Sequence, residues 1–394
     1  VSDGEATGSV RVATEAESPP RRTGFDSRAI SIPLSIYAAS RIIQLALVSW
    51  MLPPRSDGGV RARLFLWDGG WFVHVAQAGY PHGYSYDSAG KMVGNGLAFF
   101  PGYPLLVRGV HLITGLGFET AALAVSWLAG AAAAVLIYAL GVRLYDARVG
   151  LALTALFCTQ PMSMALSMAY SEALFVALVA GMLLAAHREA WLTAGALGLA
   201  AGLTRPTGAA AAVALAVAAT LAVYRGAGPR WRPILAAVVA LAGVPDYLGW
   251  VGQRVGTPSA WFDIQTAGWG TTFDFGLSTW RFIVDALRAG DGWIQVSVAW
   301  LLIAVVVAAV LAVRRRVWPP LIVYGLLALV LVLGQGGYYH SKPRLLVPVL
   351  LILVPAAVAL GRAKPGMAAL VLSGYAAFGL WYGAYLVTVW HYAI

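Results

Sequence analysis

Trp67-Asp68-Gly69-Gly70-Trp71 sets one carboxylate between two indoles, in the first long polar stretch of an otherwise strongly apolar chain. An aspartate so placed can take a proton from a hydroxyl, which is general-base chemistry. The flanking Trp67 and Trp71 suit the apolar faces of a sugar. A second role fits the same residues: Gly69 to Ala78 can form a short helix closed by Gly79, with Asp68 as its N-cap. His74 falls about two turns into that helix, either as a packed, hydrogen-bonded histidine or as a group near a substrate phosphate. Phe99-Phe100-Pro101-Gly102-Tyr103-Pro104 follows. Its prolines keep the lead-in to the next helix extended, its aromatics suit the lipid headgroup level, and Tyr103 is a candidate substrate contact.

Glu172 and Arg205 each stand beside an apolar run, in Tyr170-Ser171-Glu172 and Thr204-Arg205-Pro206. An ionisable group there is costly and therefore a functional suspect. The two can pair with each other, or Arg205 can bind an anionic phosphate. His340-Ser341-Lys342-Pro343-Arg344 is the densest cationic site beyond the loops that set orientation. Snorkelling at a helix end accounts for one cation. Three of them call for an anion, and a lipid phosphate is the obvious one. The stretch 252–292 holds Trp261, Trp269 and Trp280 among Asp263, Asp274 and Asp285, with Trp293 just beyond. It reads either as an interfacial tryptophan belt or as an acceptor-binding lid. Asp263 and Asp274 compete with Asp68 for the role of base.

The elements that must position these groups are membrane helices. Of 394 residues, 60% are hydrophobic and 11% charged, and the mean hydropathy is +0.74, where a soluble domain carries about 25% charged residues. Apolar runs fall at 31–52, 119–142, 148–168, 170–187, 191–204, 207–224, 232–251, 293–313, 317–334, 344–361 and 366–390. Helices suit them because a helix satisfies its own backbone in lipid. Residues 1–29 are polar and read as a disordered cytoplasmic tail rather than a signal peptide. The net charge of +10 reflects loop arginines that fix orientation, not nucleic-acid binding. Lysine occurs only at 91, 342 and 364, a usage that fits a GC-rich bacterial genome. Cys158 is alone within an apolar run and reads as a packed small hydrophobe. Walker A, HExxH and Gly-rich dinucleotide motifs and Cys/His clusters are absent, so nucleotide-driven transport and zinc proteolysis have no support.

The stretch 99–116 is apolar but holds Pro101, Pro104, Arg108 and His111. If it does not cross and the tail is inside, Arg143/Arg148, Arg188, Arg225/Arg230/Arg232, Arg314-Arg315-Arg316 and Arg362/Lys364 all fall inside. If it crosses, each of these clusters is outside. The stretch is therefore expected to be a re-entrant or interfacial helix within a first external loop, 53–118. The expectation is an all-α polytopic membrane protein of about eleven spans in one domain, 30–394, N-terminus in and C-terminus out. The first loop, the 170–172 and 204–206 junctions, the loop 252–292 and the segment 335–343 then share the external face.

Trp67-Asp68 with Ala76 and Gly79-Tyr80, the Phe99–Pro104 run, Ser171-Glu172-Ala173-Leu174-Phe175 and Thr204-Arg205-Pro206-Thr207-Gly208 occur in this order. Together they resemble PIG-V-type mannosyltransferases, membrane-embedded glycosyltransferases of the GT-C superfamily. The resemblance covers residues 41–350. It implies a GT-C fold with membrane-parallel helices in the first loop, a lipid-linked sugar donor, and Asp68 as catalytic base. For a bacterial relative it implies polyprenyl-phosphate mannose as donor and a glycolipid or lipoglycan acceptor, met at the external face of the plasma membrane. Family members tend to carry Arg-Tyr at the start of the late span, whereas Arg344 is followed by Leu345 here.

The resulting expectation is an inverting transfer. Arg205, His340, Lys342 and Arg344 hold the donor phosphate, and Trp67, Trp71, His74, Tyr103, Glu172, Trp261 and Asp263 bind substrate. No cofactor is required, because cationic side chains can serve the leaving group; a divalent metal on the external carboxylates is the alternative. Rival readings are a GT-C transferase for another sugar such as arabinose, one acting on a protein acceptor, and a lipid or sugar-lipid transporter. A transporter of that kind is built on internal repeats with paired broken helices, which the sequence does not show.

Overall fold

A computed structural model describes residues 27–54, 56–226, 228–390 and 392. The tail expected over 1–29 lies outside the described residues as far as 26; from Arg28 the chain is already helical.

Helices account for almost all of the chain. α1 (Arg28–Met51) leads to the short α2 (Gly59–Arg63) and to α3 (Asp68–Ala78). A two-stranded hairpin follows, β1 (Ser85–Tyr86) antiparallel to β2 (Met92–Val93), with Ser85 opposite Val93. Then come α4 (Gly102–Thr114), α5 (Phe118–Leu144), α6 (Ala147–Thr159), α7 (Glu172–His187), α8 (Trp191–Gly202), α9 (Gly208–Arg225) and α10 (Trp231–Val255). The stretch 252–292 carries α11 (Ala260–Trp269) and α12 (Leu277–Ala289). The C-terminal part holds α13 (Trp293–Arg314), α14 (Pro319–Leu333), α15 (Lys342–Leu345), α16 (Val354–Arg362) and α17 (Pro365–Thr388).

Every apolar run forms helix, but the lengths differ. Among the described residues, α1, α5, α9, α10, α13 and α17 are long and apolar enough to cross a membrane. A seventh candidate is bent by 80° between Tyr339–Leu345 and Leu350–Arg362. α6, α7, α8 and α14 are apolar but shorter, so the expected eleven spans are six or seven full-length ones and four short helices. The 148–168 run breaks because Pro161 follows Gln160 and ends α6. The chain then turns through a short 3-10 stretch before α7.

The ambiguous stretch 99–116 becomes α4. Its thirteen residues rise about 20 Å, short of the roughly 30 Å of hydrocarbon. Leu105, Leu106, Leu112 and Ile113 are exposed while Tyr103, Pro104 and Val107 are buried. α4 is thus one-sided, the character expected of an interfacial helix.

Small residues let the helices beneath the site approach closely. A Cβ on Gly202 would lie 2.9 Å from the Cα of Gly243, so α8 and α10 touch backbone to backbone. The N–H of Gly102 donates to the carbonyl of Leu203 at 2.7 Å. This contact fixes the start of α4 against the turn that carries Thr204 and Arg205.

Candidate active site

A cavity of about 410 Å³ opens at one end of the bundle. Its wall comes from five separate segments: Trp67–Phe72 with Ala98–Phe100, Ser171, Thr204–Thr207, Trp261–Thr271, and Val332–Leu345. These are the five stretches that the charge-derived topology assigned to one face.

Asp68 opens α3 as its first helical residue, so the N-cap position falls on Trp67. Trp67 has φ 53°, one of four non-glycine residues with positive φ among the described residues. A bulky residue held there is strained, and such strain gathers at functional sites. No side chain caps α3. The N-cap reading of Asp68 is thereby corrected: its carboxylate turns to Arg344 instead.

Arg344 Nη1 lies 2.6 Å from Asp68 Oδ2, and Arg344 Nε lies 3.6 Å from Glu172 Oε1. Arg205 Nη1 reaches the same Glu172 oxygen at 2.9 Å and donates to the Ser171 hydroxyl at 2.9 Å. Asp68, Arg344, Glu172 and Arg205 therefore form one alternating chain of charge. Glu172 is 1% exposed and is absent from the cavity wall, whereas Asp68, at 20%, faces the cavity. The pairing of Glu172 with Arg205, one of the two alternatives drawn from sequence, is present, and Arg205 also lines the cavity. Burying these ions is tolerable only because each meets an opposite charge.

Tyr170 supports the chain from behind. Its ring lies 4.9 Å from the Arg344 guanidinium, and its hydroxyl donates to the carbonyl of Leu66 at 3.0 Å. The carbonyl of Leu64 accepts from the N–H of Ala169 at 2.9 Å. The loop before Asp68 is thus tied to the segment before Glu172. A Cβ on Gly69 would press the Tyr170 ring at 3.3 Å, which gives that glycine a packing reason.

Lys342 also lines the cavity, and it is nearly buried. Its ammonium donates to the carbonyls of Val332 at 3.1 Å and Gln335 at 2.5 Å. One side of the cavity is therefore cationic: Arg205, Lys342 and Arg344 stand against Asp68 and, behind the wall, Glu172. The lining is also aromatic. Trp71 stacks on Phe99 with centroids 6.0 Å apart, and Trp269 meets both edge-on at 6.2 and 5.4 Å. Trp261 lines the wall as well and donates to the carbonyl of Ala98 at 3.3 Å, joined there by Gln265 at 3.0 Å.

Besides Glu172, four expected site residues stand outside the cavity wall. Tyr103 is fully buried, donates to the carbonyl of Ala122 at 2.8 Å and meets the Ser126 hydroxyl at 2.7 Å. That placement makes it a core residue between α4 and α5, not a lining one. His74 points outward from α3, with Trp71 edge-on at 6.5 Å. His340 packs among Tyr338, Tyr339 and Tyr392, away from the wall. Asp263 accepts from the hydroxyls of Tyr84 and Ser259, both at 2.9 Å, and pins α11 to the hairpin region.

Asp274, the other rival base, is also engaged structurally. It accepts from the N–H groups of Gly276 at 3.0 Å and Ser278 at 2.9 Å at the start of α12. The hydroxyl and N–H of Ser278 hold its carboxyl below the ordinary aspartate range. The backbone ties the strap 270–278, which runs from α11 into the start of α12, to the cavity wall: Asp274 N–H donates to the carbonyl of Gly334 at 3.0 Å and Gly336 N–H to that of Thr272 at 2.8 Å.

Sequence reading gave no role to Tyr170, Gln265 or Gln335, and gave Phe99 and Trp269 only those of a headgroup-level aromatic and of part of a tryptophan belt or acceptor lid. Tyr170 and Phe99 lie inside the motifs that drew notice, and Trp269 lies in the tryptophan-rich stretch, so position in those segments was the available signal. Gln265 and Gln335 carried none. Among the described residues, no three His, Cys, Asp or Glu side chains cluster as metal ligands would.

No protein-family model matches this chain, and no curated protein matches it. Solved structures do. ArnT from Cupriavidus metallidurans in the apo state aligns over 86% of this chain and 62% of its own, at 18% identity and TM-score 0.51. The same protein bound to undecaprenyl phosphate aligns over 90% of this chain and 70% of its own, at 17% identity and TM-score 0.51. The oligosaccharyltransferase AglB from Archaeoglobus fulgidus, in complex with an inhibitory peptide and a dolichol-phosphate, aligns over 89% and 56% at 12% identity and TM-score 0.46. At these identities the likeness is one of fold: the chain has the GT-C-like fold seen in ArnT.

Proposed function

We propose that this chain is a membrane glycosyltransferase that moves a sugar from a polyprenyl-phosphate donor to an acceptor hydroxyl. The observation that carries this reading is the shared cavity of one carboxylate, Asp68, and three cations, Arg205, Lys342 and Arg344. A fold shared with ArnT, which has been seen with undecaprenyl phosphate, supports the donor class.

In the proposed reaction the acceptor O–H bond breaks as its oxygen attacks the anomeric carbon. Asp68 takes the proton. The bond from the anomeric carbon to the phosphate oxygen breaks, and its electron pair leaves with the phosphate. Arg205, Lys342 and Arg344 neutralise the charge that grows there. A single displacement inverts the sugar, from β-linked in the donor to α-linked in the product. Trp71, Trp261 and Trp269 offer faces for sugar rings.

The finer assignments rest on the resemblance to PIG-V-type enzymes: mannose as the sugar, a glycolipid or lipoglycan as acceptor, and the external face of a bacterial plasma membrane. A GT-C enzyme for another sugar or a protein acceptor is the nearest competitor.

The test uses purified protein in detergent with radiolabelled polyprenyl-phosphate mannose and a membrane-lipid acceptor fraction. Label should pass into a lipid product with the wild type. Asp68→Asn should lower the rate by about 100-fold or more, the weight of a general base, in protein that is still folded. Full transfer by Asp68→Asn would remove Asp68 as base, and no transfer by folded wild type would reject mannose as the sugar.

A further inference from the structure

Arg344 has two carboxylate partners of different kinds. Glu172 is 1% exposed, sits behind the cavity wall, and is held from its other side by Arg205 at 2.9 Å. Asp68 faces the cavity, is 20% exposed, and has Arg344 as its ion-pair partner at 2.6 Å. The guanidinium between them is 8% exposed and is backed by the Tyr170 ring at 4.9 Å. It cannot leave the wall without giving up Glu172 and Tyr170, but it can change what it holds in front.

The front contact is close: Arg344 Nη1 lies 2.6 Å from Asp68 Oδ2, while Nε is turned back to Glu172 at 3.6 Å. A guanidinium offers five N–H donors in a planar fork that matches the oxygens of a phosphate as well as those of a carboxylate. Because Arg344 and Asp68 both line the cavity, an anion's oxygens entering it meet the same fork that now holds Asp68.

We infer that Asp68 and the donor phosphate compete for Arg344, so that the phosphate, on binding, takes over the guanidinium and releases the Asp68 carboxylate to face the acceptor hydroxyl. This deepens the proposed transfer and rests on it. The exchange orders the reaction: the base is held by Arg344 while the donor site is empty and becomes free once the phosphate is seated. After transfer Asp68 carries the acceptor's proton and the phosphate carries an added negative charge, so Arg344 stays with the phosphate. Loss of the lipid phosphate and of that proton to water restores the starting ion pair. Glu172 is then a positioning residue, which holds Arg344 at the wall through both states.

Competition for one guanidinium has a measurable signature. The probe is a short-chain polyprenyl monophosphate, its affinity measured at fixed ionic strength for wild type, Asp68→Asn, Arg344→Gln and the double variant. Asp68→Asn should bind the probe about tenfold more tightly than wild type, a size in keeping with coupling between close charges. In the Arg344→Gln background the same change should alter affinity less than twofold. An equal gain in both backgrounds means simple removal of a negative charge near the phosphate, and overturns the exchange while leaving the donor site standing. No gain from Asp68→Asn overturns it as well. Failure of folded wild type and Asp68→Asn alike to bind the probe rejects the lipid-phosphate reading itself, a different result. If Arg344→Gln does not fold, Arg344→Lys takes its place. One ammonium lacks the fork that grips Glu172 and a front partner together, so the gain should again shrink, and a tenfold gain there would sink the proposal.

Discussion

Arg205 and Arg344 share a single oxygen, Glu172 Oε1, at 2.9 and 3.6 Å, although they stand far apart in the sequence. That buried oxygen registers the start of α7 against both the Thr204–Thr207 turn and the bent segment at α15. The second oxygen of Glu172 has no hydrogen-bond partner among the described residues. All of its stabilisation therefore comes through the two guanidinium groups.

Removing that carboxylate leaves Arg205 without its ion-pair partner and Arg344 with Asp68 alone. Glu172→Ala is expected to cost about 3–5 kcal/mol, the range for breaking a buried pair by deleting one partner. Thermal unfolding in detergent, with equilibrium unfolding by denaturant where it is reversible, checks this. A loss under about 1 kcal/mol would mean that the network behaves like a surface pair.

Trp269 separates acceptor binding from donor binding. It lines the same cavity as Arg205, Lys342 and Arg344, and packs edge-on to Trp71 and Phe99. Trp269→Ala should raise the acceptor KM about five- to tenfold, a loss on the order of 1 kcal/mol for an aromatic contact, while the donor KM changes less than twofold. An effect confined to the donor KM would place the acceptor elsewhere.

Tyr103 gives a contrasting case within a motif that drew attention from sequence. Its hydroxyl is spent on the carbonyl of Ala122 and the hydroxyl of Ser126 in the α4–α5 contact. Tyr103→Phe should lower stability by about 1 kcal/mol, as one buried hydrogen bond does, and leave kcat within twofold of wild type. A large fall in kcat with unchanged stability would return Tyr103 to the site.

Asp274 adds a pH dependence whose direction follows from its partners. Ser278 and Gly276 bind the charged carboxylate, so its folded pKa lies below the unfolded value. Its contribution is then fully present above the unfolded value, about 4, and is lost as pH falls through the lower folded value. Hydrogen exchange over residues 274–278 should be slow and flat from pH 7 to about 5 after correction for intrinsic rates. Protection should fall only below about pH 4. Asp274→Ala should loosen the segment already at neutral pH and reduce transfer without abolishing it. Complete loss of transfer with the strap still protected would make Asp274 a base after all.

Much of this arrangement is legible in the chain itself. Hydrophobic runs are a local property, since every backbone group in lipid must bond within its own helix, and each of the eleven runs is helical. Arginine placement is read by the membrane as a one-dimensional signal, and it grouped the five segments that meet at the cavity. The prolines and polar groups of 99–116 made that stretch ambiguous, the arginine distribution favoured an interfacial helix, and α4 is short and one-sided.

What the chain alone did not decide is which side chain faces which. Asp68 as an N-cap and Asp68 as the partner of Arg344 require the same local sequence, because the choice depends on a guanidinium delivered by the far end of the chain. Tyr103, His74, Asp263 and His340 have the chemistry of site residues, but packing turned them toward α5, outward, toward Tyr84, and among Tyr338, Tyr339 and Tyr392. Tyr170 gained its place behind Arg344 through ring packing that no motif encodes. Sequence determines which segments lie at the membrane's edge, because that is a matter of transfer energy residue by residue. The tertiary structure decides which of their charges meet, because a contact depends on the backbone approach that Gly202 against Gly243 and Gly102 against Leu203 make possible.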